Sequence, residues 1–156
     1  TENNHSMTIR IDYGASSFLW TGDMEKPALE LLVSRYKANK MLDTEVYEAG
    51  HHGAENGTIS SLLEAVTPDL AIISVGHRGD SGAKTAYGYG HPRIEALELL
   101  NASITAPRPT VQGFMATAKK QLHDYPESKA IYATGWDGDI VVTADAFGHL
   151  AVAIAP

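Results

Sequence analysis

The sequence predicts one layered α/β domain, a mixed sheet that carries helices on its outside. Short apolar runs of strand length alternate with stretches of helical periodicity over the first hundred residues, an order typical of α/β domains. Residues 70–75 form a continuous apolar run, which is typical of a strand buried on both faces. The length of 156 residues fits a single domain, so residues 1–156 are treated as one unit.

The first half is predicted to form a hairpin followed by alternating helices and strands. Residues 6–13 alternate apolar and polar side chains, and residues 18–21 form a second strand after a turn. A helix is predicted at 27–40, because a proline opens it and leucines recur at helical spacing. A short strand at 44–49 and a helix at 58–66 follow.

The second half is predicted to contain a functional loop, two helices and a closing meander. The glycine-rich stretch 76–90 is longer than an ordinary connection, which favours a functional loop. Pro92 opens a helix, and residues 107–129 are predicted to hold an amphipathic helix because their apolar residues keep helical spacing. The closing strands are predicted at 131–134, 140–143 and 150–154.

Composition limits the partners of this domain. The net charge of −7 and the scattered basic residues argue against an extended nucleic-acid surface, although a small anionic substrate held by a metal ion fits. Without cysteine, a metal ion would need nitrogen and oxygen ligands. No apolar run approaches the roughly 18 residues of a membrane span, and no signal peptide is recognised, so the compartment stays open.

Chemically versatile side chains follow three of the predicted strands. Asp23 comes after a glycine, His51 and His52 lie between two glycines, and His91 lies in a Gly-His-Pro sequence. Open α/β sheets bind ligands at the carboxyl ends of their strands, so these side chains are expected at one edge. Asp23 is either a turn or cap aspartate or a metal ligand.

If the backbone is extended, the two adjacent histidines are expected to point in different directions. One of His51 and His52 can then face a metal while the other packs or forms a hydrogen bond. His91 is either a helix-entry residue or a substrate contact. No serine lies in a Gly-x-Ser-x-Gly sequence and no phosphate-binding loop is complete, so metal-assisted hydrolysis is the catalytic hypothesis with several supporting residues.

The order of these motifs resembles one known group. The sequences Asn-Asn-His-Ser (3–6), Phe-Leu-Trp-Thr-Gly-Asp (18–23), His-His-Gly (51–53), Ile-Ser-Val-Gly (73–76) and Tyr-Gly-His-Pro (89–92) resemble the C-terminal metallo-β-lactamase-like domain of ComEC/Rec2-type competence proteins. The resemblance covers residues 3–101 and resumes at 131–154.

The resemblance implies a fold, a cofactor and roles for four residues. It implies an αββα sandwich, of which this chain supplies the C-terminal αβ half, with two divalent metal ions, usually zinc and sometimes manganese. Asp23 and His51 would then be metal ligands and catalytic residues, whereas His91 and His52 would serve substrate binding. The reaction it implies is attack of a metal-bound hydroxide on a phosphodiester, a short substrate or DNA.

Three departures from the family pattern limit what the resemblance implies. The family's His-x-His-x-Asp-His motif is absent, Ala54 stands where a serine is common, and residues 107–129 form an insertion. We therefore expect an incomplete metal site that needs the N-terminal half of the domain as its partner. The alternative is a non-catalytic binding or structural module.

Overall fold

The computed structural model describes residues 1–79, 82 and 84–155, so part of the predicted 76–90 loop lies outside the described residues. The predicted layered α/β architecture with a mixed sheet is confirmed. The described strands are β1 (Ile9–Tyr13), β2 (Ser16–Trp20), β3 (Val46–Glu48), β4 (Leu70–Ile73), β5 (Pro107–Ala118), β6 (Gln121–Lys129), β7 (Ile131–Ala133), β8 (Asp139–Ala144) and β9 (Leu150–Ala155).

The helices lie between these strands. They are α1 (Lys26–Tyr36), α2 (Gly50–Gly53), α3 (Ser60–Val66), α4 (Ala86–Tyr89), α5 (Ile94–Ser103) and α6 (Thr134–Asp137). Short 3₁₀ turns occupy Glu2–His5, Lys37–Asn39 and Glu55–Gly57. Within the described residues, no helix has the length and apolar character needed to cross a bilayer.

The central sheet brings the carboxyl ends of four strands to one edge. Its strand order is β1-β2-β3-β4-β7, in which β1 pairs antiparallel with β2 and every other pair is parallel. The sheet is therefore mixed, and the segments that follow β2, β3, β4 and β7 start from the same edge. This arrangement places the predicted site residues within reach of one another.

One face of the sheet forms the core of the molecule. Its central row is Leu19, Tyr47, Ala71 and Ile131, each no more than 1% exposed. Buried leucines of α1, α3 and α5 join these side chains in one apolar cluster. Each fully buried side chain of that size stabilises the fold by roughly 1.5–3 kcal/mol, so this face holds the helices in place.

The opposite face of the sheet is more open. Its central row is Trp20, Glu48, Ile72 and Tyr132, all partly exposed. The β8–β9 hairpin covers part of this face, since Ile140 and Val142 line a cavity of about 300 Å³ together with Trp20 and Ile72. At the free edge of the sheet, the β1 residues Ile9, Ile11 and Tyr13 are about half exposed (46%, 50% and 56%).

The helix predicted within residues 107–129 is wrong, because this segment is the β5–β6 hairpin. Pro109 and Pro126 do not suit a helix interior, and the intervening threonines and aromatic residues favour strands. The apolar spacing that indicated a helix serves instead to pack the hairpin. Gly113, for example, lies so close to the Trp136 ring that a Cβ atom would be 3.2 Å from it.

The closing strands also differ from the predicted meander. β7 enters the central sheet parallel to β4, and only β8 and β9 pair with each other as a hairpin. The connection between β7 and β8 is largely helix α6. A buried ion pair explains this path, since Arg108 on β5 binds both carboxylate oxygens of Asp137 at 2.6 and 2.8 Å.

Candidate metal and substrate site

Asp23 is held at the carboxyl edge of the sheet by two loops that bond to each other. The His51 N–H donates to the Gly22 carbonyl at 3.0 Å, which joins the segment after β3 to the segment after β2. Gly22 has φ +56°, a conformation that glycine adopts without strain. The Asp23 N–H donates to Ser6 Oγ at 3.1 Å. These contacts direct the segment carrying Asp23 towards the histidine pair.

His51 and His52 both have left-handed backbone conformations. Their φ angles are +51° and +57°, values that cost an ordinary residue roughly 1–2 kcal/mol each. Backbone strain of this kind persists where the surrounding structure enforces it, and it clusters at functional sites. Positive φ angles also occur at Lys40, Thr67 and Lys120, so the conformation alone does not identify a site.

The His52 imidazole is the one that lies next to Asp23. Its Nδ1 is 2.6 Å from the Ser74 carbonyl oxygen, which only accepts, so Nδ1 carries the proton. Its Nε2 is then unprotonated in the neutral ring and lies 3.7 Å from Asp23 Oδ1. Ser74 is itself held by Glu48, since its hydroxyl donates to the Glu48 carboxylate at 2.6 Å. A carbonyl on the far ring nitrogen is how metal-binding histidines are commonly oriented.

His51 lies beside this pair with its own hydrogen bond. Its Nδ1 is 3.2 Å from Asn56 Oδ1, and in the neutral tautomer that donates this bond its Nε2 is unprotonated. The His51 ring centroid is 6.4 Å from that of His52 and 5.5 Å from that of His91. Three imidazoles therefore share one small region of the sheet edge.

His91 is a neutral imidazole in a partly buried setting. Burial, followed by the electrostatic influence of His51, His52 and Arg93, lowers the pKa of His91 to about 4. Its Nδ1 is buried and has no hydrogen-bond partner among the described residues. Its ring stacks on Tyr89 at 6.1 Å with the planes 10° apart. With a pKa of about 4, the His91 ring is neutral near pH 7.

Three cavities surround these side chains. A cavity of about 300 Å³ is bordered by Asp23, His51 and His52, and one of about 390 Å³ is bordered by His52, Ser74 and His91. A third, of about 730 Å³, lies on the other side of His91 and Tyr89. The aromatic pair Tyr89 and His91 borders both of the last two cavities, so it separates them.

The structure brings together all four residues predicted for the site. Asp23 pairs with His52, whereas the sequence analysis favoured His51 as the ligand that accompanies Asp23. The roles of these residues in metal and substrate binding stay predictions. Sequence reasoning missed Asn56, Glu48 and the Ser74 carbonyl. The position of Glu48 and Ser74 at the ends of neighbouring strands was the signal that could have found them.

The donors present suit one side of a metal site. A carboxylate and imidazoles with free Nε2 atoms are ligands that zinc and manganese accept. Within residues 1–79, 82 and 84–155, no group of three or more such side chains is arranged to enclose a metal ion. The fit therefore extends to Asp23 and the histidine beside it, with further ligands needed to close the site.

Comparison with known families connects this arrangement to a superfamily. Residues 1–77 match the family model of the metallo-beta-lactamase superfamily. Members of that superfamily generally bind divalent metals. No solved structure matches the chain significantly.

Curated relatives point in the same direction and confirm the resemblance found in the motifs. Competence protein ComA of Neisseria gonorrhoeae is 29% identical over 104 residues, 67% of this chain and 15% of that protein. Recombination protein 2 of Haemophilus influenzae is 39% identical over 75 residues, 48% of this chain and 9% of that protein. ComE operon protein 3 of Bacillus subtilis is 29% identical over 100 residues, 64% of this chain and 12% of that protein. The chain thus spans about a tenth of the length of these relatives.

Proposed function

The chain is a metallo-β-lactamase-fold relative of the ComEC/Rec2-type competence proteins, and on that premise we propose that it carries one side of the active site of a metal-dependent phosphodiesterase or nuclease. The observation that carries the proposal is the contact between Asp23 and His52. Their facing atoms, Oδ1 and Nε2, are 3.7 Å apart, and both are acceptors when the carboxylate is ionised and the neutral ring carries its proton on Nδ1. A cation bound between two such acceptors would be attracted by both of them.

The residues around this contact would hold the ion in position. Ser74 fixes the His52 ring through its carbonyl, and Glu48 fixes Ser74, so His52 loses little freedom when it binds. His51 presents a second Nε2 beside the first, as a further ligand or a contact to bound substrate. A divalent ion, zinc or manganese, supplies Lewis acidity that lowers the pKa of water and offsets phosphoryl charge.

The substrate would reach the site over His91. The one ring nitrogen of the neutral His91 imidazole that carries a proton would donate a hydrogen bond to a phosphoryl oxygen. The cavities on either side of His91 leave room for groups on both sides of a phosphodiester bond. A short phosphodiester or a single DNA strand fits this arrangement better than a long duplex, because the chain is acidic overall.

A complementary αβ half would close the site. The open face of the sheet, with half-exposed Ile9 and Ile11 on β1 and partly exposed Trp20, has the apolar character of a surface that packs against another layer. Such a layer would lie next to Asp23, because Trp20, Asp23 and His52 border one cavity. It would supply the remaining metal ligands.

The test is metal content and hydrolysis in the longest natural polypeptide that carries this chain. We expect bound zinc or manganese, hydrolysis of bis-p-nitrophenyl phosphate, and at least about a tenfold fall in metal affinity on Asp23→Asn. Asp139→Asn is the matched control, since Asp139 is an exposed aspartate at the start of β8. Equal metal affinity in the two variants would rule out the role of Asp23, and bound metal without any hydrolysis would favour the non-catalytic module.

A further inference from the structure

The turn of the β5–β6 hairpin is fixed beside His91 by close backbone contacts. Lys120 N–H donates to the Tyr87 carbonyl at 3.0 Å, and Ala116 N–H donates to the Pro92 carbonyl at 2.7 Å. Gly90, with φ +74°, lies so close that a Cβ atom would be 2.8 Å from the Ala118 carbonyl oxygen. The hairpin, which the family resemblance does not cover, therefore forms a wall next to the candidate site.

The turn of this hairpin places Lys119 at the border of the largest of the three cavities. The cavity of about 730 Å³ is bordered by three cations and two carboxylates, which are Lys26, Arg93, Lys119, Glu30 and Glu55. Lys26 lies 3.9 Å from Glu30, and Arg93 pairs with Glu95 and Glu55. Across the described part of the chain, Lys119 has no acidic partner within ion-pairing distance. Its charge is therefore available to an anion in the cavity.

An aromatic ring borders the same cavity. Tyr89 is 47% exposed, and it stacks on His91 in a nearly parallel arrangement. A half-exposed ring held by a second ring is a platform on which another planar group can stack. The volume of the cavity is in the range that holds a ligand of nucleotide size.

We propose that this cavity is a nucleotide subsite for a single-stranded nucleic acid, with a base stacked on Tyr89 and a phosphate paired with Lys119. The combination of an aromatic platform and a basic side chain is how proteins bind single strands without reading their sequence. The subsite rests on the proposed function in one respect, because the hydrolysed bond would lie beyond His91. Binding itself needs no metal ion.

The test measures binding of a fluorescein-labelled oligothymidylate by anisotropy in EDTA. Lys119→Gln should weaken binding about threefold at low salt and lower the salt slope by about 0.7, the value for one phosphate contact on a single strand. Lys120→Gln is the matched control, since it removes the neighbouring charge of the same turn and does not border the cavity. Tyr89→Ala should weaken binding at least about fivefold.

A second probe separates base stacking from phosphate pairing. On an abasic strand of the same length, Tyr89→Ala should have no effect while Lys119→Gln keeps its effect. Any one of three results would overturn the subsite. These are equal effects of the two lysine variants, no effect of Tyr89→Ala on binding of the oligothymidylate, and no binding by the parent chain. Thermal melts exclude unfolding of a variant. Selective binding by this chain, together with no hydrolysis by the metal-loaded longest natural polypeptide, would overturn the proposed function alone. Hydrolysis by that polypeptide without selective binding would overturn the subsite alone.

Discussion

His51 and His52 follow one another in the chain, yet their imidazoles make unrelated hydrogen bonds. His52 is oriented by the Ser74 carbonyl, and His51 by the Asn56 side chain. The adjacency of the two histidines predicts divergent side chains for an extended backbone. The backbone is instead left-handed at both residues. This conformation could not be predicted, because Gly50 and Gly53 permit many turns and only the packed loops select this one.

At the residue scale, the packing around Gly50 leaves no room for a side chain. A Cβ atom there would lie 2.8 Å from both the Gly57 carbonyl oxygen and Thr21 Oγ1, and the His51 backbone follows directly. We expect Gly50→Ala to lower the free energy of unfolding by about 1–3 kcal/mol, because this space cannot take a methyl group. Urea denaturation measures the change. Gly79→Ala is the control, since nothing lies within 4 Å of its Cβ position. A loss of the same size in both variants would contradict the packing argument.

At the scale of elements, the β5–β6 hairpin depends on a buried ion pair. The side chains of Arg108 and Asp137 are 4% and 1% exposed, and the guanidinium also lies 4.1 Å from the Tyr132 ring centroid. We expect Arg108→Met to lower the free energy of unfolding by about 3–5 kcal/mol, because it leaves the buried Asp137 carboxylate without its cation.

Two further variants separate this effect from a general loss of charge. Adding Asp137→Asn should recover part of the stability lost in Arg108→Met, since the amide oxygen can still accept the Ala133 N–H. Lys37→Met, which breaks an exposed pair with Glu64, should change the unfolding free energy by less than about 1 kcal/mol. Equal losses for Arg108→Met and Lys37→Met would refute the anchoring role, and chemical denaturation gives all three values.

The β5–β6 hairpin also shows which secondary-structure elements could be predicted from the sequence and which could not. The strands of the central sheet have strong local patterns, as in the apolar run around Ile72, and their approximate positions were predicted. The 107–129 segment has an apolar spacing compatible with either a helix or a strand. Contacts with the rest of the fold decide between helix and strand for this segment. Such contacts, for example that of Arg108 with Asp137, join residues far apart in the chain.

At the scale of the whole molecule, we expect the open face of the sheet to behave differently in this chain and in any longer natural polypeptide that carries it. Ile11 is 50% exposed in this chain, so Ile11→Ser should change the unfolding free energy of the chain by less than about 0.5 kcal/mol. If a complementary αβ half covers this face, the same substitution should cost about 1–2 kcal/mol in the longest natural polypeptide, because it then removes buried apolar area.

A control for this comparison lies on the opposite side of the molecule. Leu31 on α1 is 60% exposed, and Leu31→Ser should have the same small effect in both contexts. Calorimetry of the four variants gives the two differences. Ile11→Ser effects that match between the chain and the longer polypeptide would argue against a second layer on this face.

The most direct test of the central claim, that Asp23 and His52 offer a metal site, is the nitrogen spectrum of the imidazoles. Long-range ¹H–¹⁵N NMR of the metal-free chain should find the His52 proton on Nδ1, as its bond to the Ser74 carbonyl requires. Added zinc should shift the His52 Nε2 resonance, and Asp23→Asn should weaken that response while Asp139→Asn leaves it intact. A proton on Nε2 of His52, or a zinc response that is identical in both variants, would contradict the account.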